Sequence, residues 1–164
     1  MANPLLRPYW IGKADDSVAK HNDINSCASI REARRIQSRI CRLVGRFLKK
    51  GNEAFERLRY SRLRLETAGT AAQAHHIFQQ AVMTYLPGYT RGFGLAMPLL
   101  GRSTTIGTPH YLATQEQRKR RGQPAAKVAR AALVAAGCSV KDARTIVKAV
   151  ENYNTFRGWF PPAP

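Results

Sequence analysis

From Ile30 to Lys50 the chain alternates apolar and basic residues with the period of an α-helix, and this stretch limits the fold more than any other. At about 100° per residue, Ala33, Ile36, Ile40, Leu43, Val44 and Phe47 gather on one side. Arg31, Arg35, Arg39, Arg42, Arg46 and Lys49 fall on the other, at spacings of 4, 4, 3, 4 and 3. A helix of this kind must bury one face against another element and leave the other in solvent. Ser29 as N-cap and Lys49-Lys50-Gly51 as a basic last turn with a glycine stop predict a helix over 29–50.

The stripe belongs to a larger imbalance. The 164 residues carry 27 Lys and Arg against 10 Asp and Glu, a formal net charge of +17. Residues 28–66 account for +8 of it and residues 114–130 for +5, while 67–113 hold only Arg91 and Arg102. Nineteen of the 27 bases are arginine, whose planar fork matches phosphate better than an ammonium does. The excess implies a polyanionic partner, with nucleic acid ahead of an anionic membrane surface. At 44% hydrophobic the chain can build a core, and no apolar run approaches the roughly 20 residues of a membrane span. Three scattered cysteines, Cys27, Cys41 and Cys138, do not form a disulfide framework or a metal knuckle, and Cys41 is expected to pack against the core. No signal peptide is legible, so a reduced intracellular setting, or a particle assembled there, is the expectation.

Punctuation divides the rest of the chain. Residues 1–28 read as an extended arm, with Pro4 and Pro8, several Asp and Asn, and an aromatic Tyr9-Trp10 pair that should pack on something. Asn52 can cap a long helix over 52–86, with a weak point at Gly69-Thr70, that Pro87-Gly88 ends. Residues 87–111 hold three prolines and five glycines and read as a long functional or interface loop, in which a short apolar strand within 89–112 is the less favoured alternative. Helices follow over 113–121, 125–136 and 140–153, the last capped by Ser139 with Asp142. The end, NTFRGWFPPAP, reads as non-helical, and the aromatic tail 159–164 suits either subunit contact or capping of the core. The expected fold is all-α: a bundle of about four to five helices within residues 29–158, with an arm, a central loop and a tail.

Catalytic chemistry finds no support in this pattern. His75-His76 is adjacent rather than spaced i,i+4, and His21 and His110 lack partner motifs. The acids form no DxD or ExxH pair, and the glycines of GYTRGFG do not make a phosphate loop. The expectation is no enzyme, no metal and no cofactor. The candidate nucleic-acid contacts are Arg31, Arg35, Arg39, Arg42, Arg46, Lys49, Lys50 and Arg57 in the first basic block. The second block supplies Arg118, Lys119, Arg120, Arg121, Lys127 and Arg130, with Arg144 beyond it. The stripe alone would make a ridge roughly 27 Å long at 1.5 Å per residue. Residues 125–153 can form a helix–turn–helix or a plain helical hairpin. The exposed side of its second helix offers Lys141, Arg144 and Lys148 but no Asn or Gln to read adenine.

Three resemblances rest on these segments. AALVAAGCSVKDA is similar to segments of phage small terminases and other helix–turn–helix proteins. REARRIQSRICRLVGRFLKKGN resembles the N-terminal region of group II intron-type reverse transcriptases, and stops before any polymerase motif. Architecture over most of the chain, together with GYTRGFGL, resembles the major capsid proteins of rod-shaped and filamentous archaeal DNA viruses. That last resemblance implies helical subunits that pair and wrap double-stranded DNA in a filament, located in the virion. The stripe of 31–49 would then face the DNA. A paralogous partner subunit, or self-association through the arm and tail, would complete the assembly. The alternatives are a helix–turn–helix regulator or packaging protein, and an RNA-binding accessory protein.

Overall fold

A computed structural model describes residues 27–161. Its elements are α1 (Cys27–Leu48), α2 (Asn52–Arg57), α3 (Tyr60–Thr67), β1 (Ala72–His76), α4 (Gln80–Met83), β2 (Ala96–Leu100), α5 (Pro109–Lys119), α6 (Ala125–Ala136) and α7 (Val140–Phe156). A 3-10 turn at Arg91–Phe93 precedes β2. The 1–28 arm falls, but for its last two residues, outside the described residues.

The amphipathic segment folds as its periodicity requires. Ile36, Ile40, Cys41, Val44, Phe47 and Leu48 are buried, and Arg31, Arg39, Arg42, Arg46, Lys49 and Lys50 are exposed. The helix already begins at Cys27, so Ser29 lies inside its first turn.

Two expectations are overturned together. The fold is not purely α-helical, because β1 and β2 form an antiparallel two-stranded sheet, with Ala72 opposite Leu100 and His76 opposite Ala96. The single helix over 52–86 does not exist: that stretch is α2, α3, β1 and α4 in succession. Nor does Asn52 cap it, since Gly51 holds the cap position and no side chain caps the helix. The cause is the apolar run Leu95–Leu100, every residue of which is buried. Buried backbone N–H and C=O groups must find partners. They take them from the segment that helical propensity alone would keep helical. Ala96 N donates to Leu58 O at 2.8 Å and Tyr60 N to Gly94 O at 2.9 Å, which breaks the helix between α2 and α3. Residues 72–76 then supply the paired strand.

The other edge of β2 is closed by a side chain. Gly101 N donates to Ala71 O and Ile77 N to Leu95 O. Alternation along the ladder therefore turns the polar groups of Ala96, Pro98 and Leu100 away from β1. Pro98, which has no N–H to offer, occupies a position where β1 asks for none. On that outer edge Gln37 of α1, 0% exposed, makes both available bonds. Its Nε2 donates to Pro98 O at 3.0 Å, and its Oε1 accepts from Leu100 N at 2.8 Å. A primary amide thus stands in for a third strand.

One turn further along α1, Cys41 is disulfide-bonded to Cys138, with Cα atoms 5.5 Å apart across 97 residues of sequence. Cys41 does pack in the core, as expected, but as half of a cross-link that its spacing in the sequence did not reveal. The crossing is close. Gly137, at φ +122°, ends α6 in a conformation L side chains rarely adopt, and a Cβ there would sit 3.1 Å from Arg34 O. Ser139 caps α7, its Oγ accepting from Asp142 N at 3.0 Å.

The helix α7 continues to Phe156, so residues 154–156 are helical, contrary to the reading of the tail as non-helical throughout. The helix persists because Tyr153 and Asn154 are buried, and Asn154 O accepts from both Trp159 N and Phe160 N as the chain folds back. Trp159 is buried against Tyr89 and Tyr153 and donates to Gly88 O at 3.1 Å, and Phe160 meets Phe78. Of the two roles open to the aromatic tail, Trp159 takes that of capping its own core.

Gln37→Leu leaves two buried strand groups without partners and should cost about 2–4 kcal/mol, read as a lower urea midpoint at unchanged m-value. Cys41→Ser with Cys138→Ser removes a constraint on a long loop and should cost about 3–5 kcal/mol. If reductant leaves the denaturation midpoint of the native protein unmoved, that cross-link contributes nothing.

Candidate nucleic-acid interface

Three contacts set the direction in which α7 runs along α1. Gly137 lies on Arg34 and Gln37, Cys138 is bonded to Cys41, and Gly45 meets Thr145 and Ile146, a Cβ added at Gly45 falling 3.8 Å from Thr145 Cγ2. Positions climb together along both helices, so they run in the same direction. At about 100° per residue, the basic residues from Arg31 to Lys49 are turned roughly 40–120° from Gly45 in one sense. Lys141, Arg144 and Lys148 are turned roughly 40–100° from Thr145 in the opposite sense. For two helices that face each other and run the same way, opposite senses lead to the same side. The arginine stripe of α1 and the basic side of α7 therefore open onto one surface, with the Gly45 crossing as its seam.

That surface continues onto α6. Lys127 and Arg130 of α6, Arg144 of α7 and Arg120 from the end of α5 line one concavity of about 480 Å³, and Arg130, Arg144 and Lys148 line a second beside it. The first candidate block and the second, far apart in the chain, are bridged by α7. Lys141 and Lys148 join the set through this packing, as does Arg34, exposed at the Gly137 turn; none of the three was among the candidates. The signal that finds the two lysines is their spacing of seven on α7, which helical period places on one side with Arg144.

Not every predicted base is available to a polyanion. Arg35 is held by both carboxylate oxygens of Glu32, with Nε at 2.9 Å from Oε2, and that pair raises its pKa further. Arg120 donates to Glu116 at 2.6 Å. Arg57 is half-buried at the end of α2. Its neighbours on α2 and α3 are engaged within the fold: Arg59 lies over the Phe93 ring at 4.5 Å and near Glu56, and Arg62 is 3.7 Å from Glu66. Arg118, Lys119 and Arg121 are exposed at the α5–α6 turn, flanking the concavity that Arg120 lines.

A second feature was not legible as a site. An open groove of about 760 Å³ runs along β1, walled by α3, the 67–71 turn and the 101–105 loop. His75 and His110 lie at its floor, ring against ring at 5.1 Å, and Gln117 Nε2 approaches His75 Nε2 at 3.3 Å. The adjacent histidines separate because β1 has a period of two. His75 is buried, whereas His76 is half-buried and stacked on Tyr60 at 4.0 Å. Burial, then the neighbouring His110 and His76, pushes the His75 imidazole down to about 3, and burial also lowers His110 and His76. The floor is therefore neutral. Among the described residues no group of three His, Cys, Asp or Glu is placed to hold a metal ion, and no helix is long and apolar enough to cross a membrane. No family model, no characterised protein and no solved structure matches the chain.

The lowered His75 has a consequence for stability. Its folded pKa lies below the unfolded value of about 6.5, so between the two the unfolded chain binds more protons. Stability should fall as pH drops from about 6.5 toward 3, by up to about 1.4 kcal/mol per unit. His75→Gln should flatten that slope in urea titrations at pH 4, 5 and 6; an unchanged slope would assign the acid sensitivity to other groups.

Proposed function

We propose that this protein is a structural nucleic-acid-binding protein that coats double-stranded DNA without reading its sequence, as a capsid or nucleoprotein subunit does. The observation that carries this reading is the single basic surface built from α1, α7 and α6. Arg31, Arg39, Arg42, Arg46 and Lys49 extend along one helix, and Lys141, Arg144, Lys148, Arg130 and Lys127 extend beside them, exposed or half-exposed. None of these ten makes an ion pair within 4.0 Å among the described residues. Cations so placed release counterions from a phosphate backbone on contact, which gives affinity without sequence preference. Duplex is favoured because the surface is two helices wide and bears long basic side chains.

Two further observations fit a coat protein. Leu65, Tyr85, Ile106 and Phe156 are each more than two-thirds exposed, which leaves apolar contacts for other copies or for a paralogous partner. Disulfides persist in virions, in oxidising compartments and in the cytoplasm of hyperthermophiles. The Cys41–Cys138 bond, which joins the two halves of the basic surface, is consistent with a particle exposed outside its host. It also replaces the expected reduced thiols as the guide to setting.

Affinity for random duplex should fall roughly 10³–10⁵-fold between 50 and 200 mM salt, the range for six to ten phosphate contacts. Arg42→Glu with Lys148→Glu places the reversal on both sides of the seam, and should lower the salt slope by about 2. The same charge change at Arg64 and Arg102, away from this surface, should leave the slope near that of the native protein. A preferred operator in a random-library selection would instead support the helix–turn–helix regulator, and preference for structured RNA the accessory reading.

A further inference from the structure

The groove along β1 is a polar site that the DNA-binding reading does not use, and two of the segments that line it are pinned by threonine hydroxyls. In the turn between α3 and β1, the buried Thr67 donates from Oγ1 to Leu63 O at 3.0 Å, and Thr70 donates to Thr67 O at 2.7 Å. Thr108, 2% exposed, holds the 101–105 loop, its Oγ1 lying 3.1 Å from Arg102 O and 2.9 Å from Thr105 O. Gly101, at φ +81°, brings this loop so close that an added Cβ would collide with the Thr108 side chain. The groove is thus shaped in advance by the fold. Preformed small-molecule sites run roughly 300–1,000 Å³, and this one, of about 760 Å³, falls within that range.

The lining defines the ligand's chemistry. No Asp or Glu contributes to it, whereas Arg64 and Arg102 do, both exposed and without an ion pair among the described residues. Gln73, Gln79 and Gln80 add primary amides that make no hydrogen bond among the described residues. A primary amide donates and accepts at once, the pattern that matches the edge of a nucleobase such as adenine. From α5 come His110 and Gln117, which its helical period places on one side. Gln117 engages His75, but His110 Nδ1 is buried without a hydrogen-bond partner among the described residues. A buried polar atom calls for a partner, and a sugar hydroxyl or the amine of a base supplies one. The groove therefore asks for an anionic group joined to an uncharged body rich in donors and acceptors.

We propose that this groove binds a nucleoside monophosphate, its phosphate held by Arg64 and Arg102 and its base and sugar by the glutamine amides and His110. The site is separate from the α1–α7–α6 surface, so its test stands apart from that of duplex binding. The full-length protein is titrated with adenosine monophosphate, adenosine and inorganic phosphate. The monophosphate should bind with a Kd below about 1 mM, at least about tenfold more tightly than adenosine or phosphate. Arg64→Gln with Arg102→Gln should remove that advantage over adenosine. The imidazole resonances of His110 should shift with adenosine in the native protein and in this variant alike, which also shows that the variant is folded. Phosphate alone should leave them in place. Excess random duplex should not displace the monophosphate. Absence of saturable binding below about 1 mM would overturn the proposal, as would phosphate that binds as tightly as the nucleotide. So would an affinity that ignores the loss of both arginines. Displacement by duplex would assign the nucleotide to the basic surface instead, and would likewise refute the site.

Discussion

The fold hangs on a hydrogen-bonding problem at β2. A five-residue strand buried along its whole length cannot leave one edge open, because each orphaned buried backbone group costs on the order of 1–3 kcal/mol. Gln37 solves this with one primary amide that donates to Pro98 O and accepts from Leu100 N. The solution requires α1 to lie against the strand in a single axial position. Cys41, one turn on, then meets Cys138, and Gly45 meets the middle of α7. Strand edge, cross-link and helix crossing thus lie in sequence along one face of α1. That row of contacts decides where the opposite face points.

The basic surface is a consequence of this packing rather than an addition to it. Arginines on α1 and lysines on α7 share a side because the two helices run in the same direction over the Gly45 crossing. Had α7 run antiparallel, the same residues would have fallen on opposite sides and the charge would have been divided. The covalent bond near the start of α7 keeps that relation fixed. Electrostatic repulsion among unpaired cations opposes such a surface, and the apolar contacts of Ile36, Ile40, Val44, Ile146 and Val147 beneath it offset that repulsion.

The groove at β1 has a different chemistry from the basic surface. The histidines at its floor, His75 and His110, are buried and neutral, and its cations are few. The groove and the basic surface lie on opposite edges of the sheet, α1 covering β2 and the groove following β1.

Segments whose structure is set by local periodicity were legible from the residues. The α1 stripe, α6 with its Gly137 stop and the Ser139 cap of α7 depend on contacts within about one helical turn. Residues 52–86 were not, because their alanines, leucines and arginines favour a helix. Only pairing with a buried strand some 30 residues away overrides that preference, and an apolar run within 89–112 does not say which segment it will pair with. The same limit applies to the candidate site. Sequence determined that bases would line one side of α1 and that Lys141, Arg144 and Lys148 would share a side of α7. It could not say that Glu32 and Glu116 would engage Arg35 and Arg120, that Cys41 would find Cys138, or that the two basic sides would meet. Those outcomes depend on helix direction and strand pairing, which are properties of the packed chain: charge along a helix is written residue by residue, but charge across a surface is decided by which helices lie side by side.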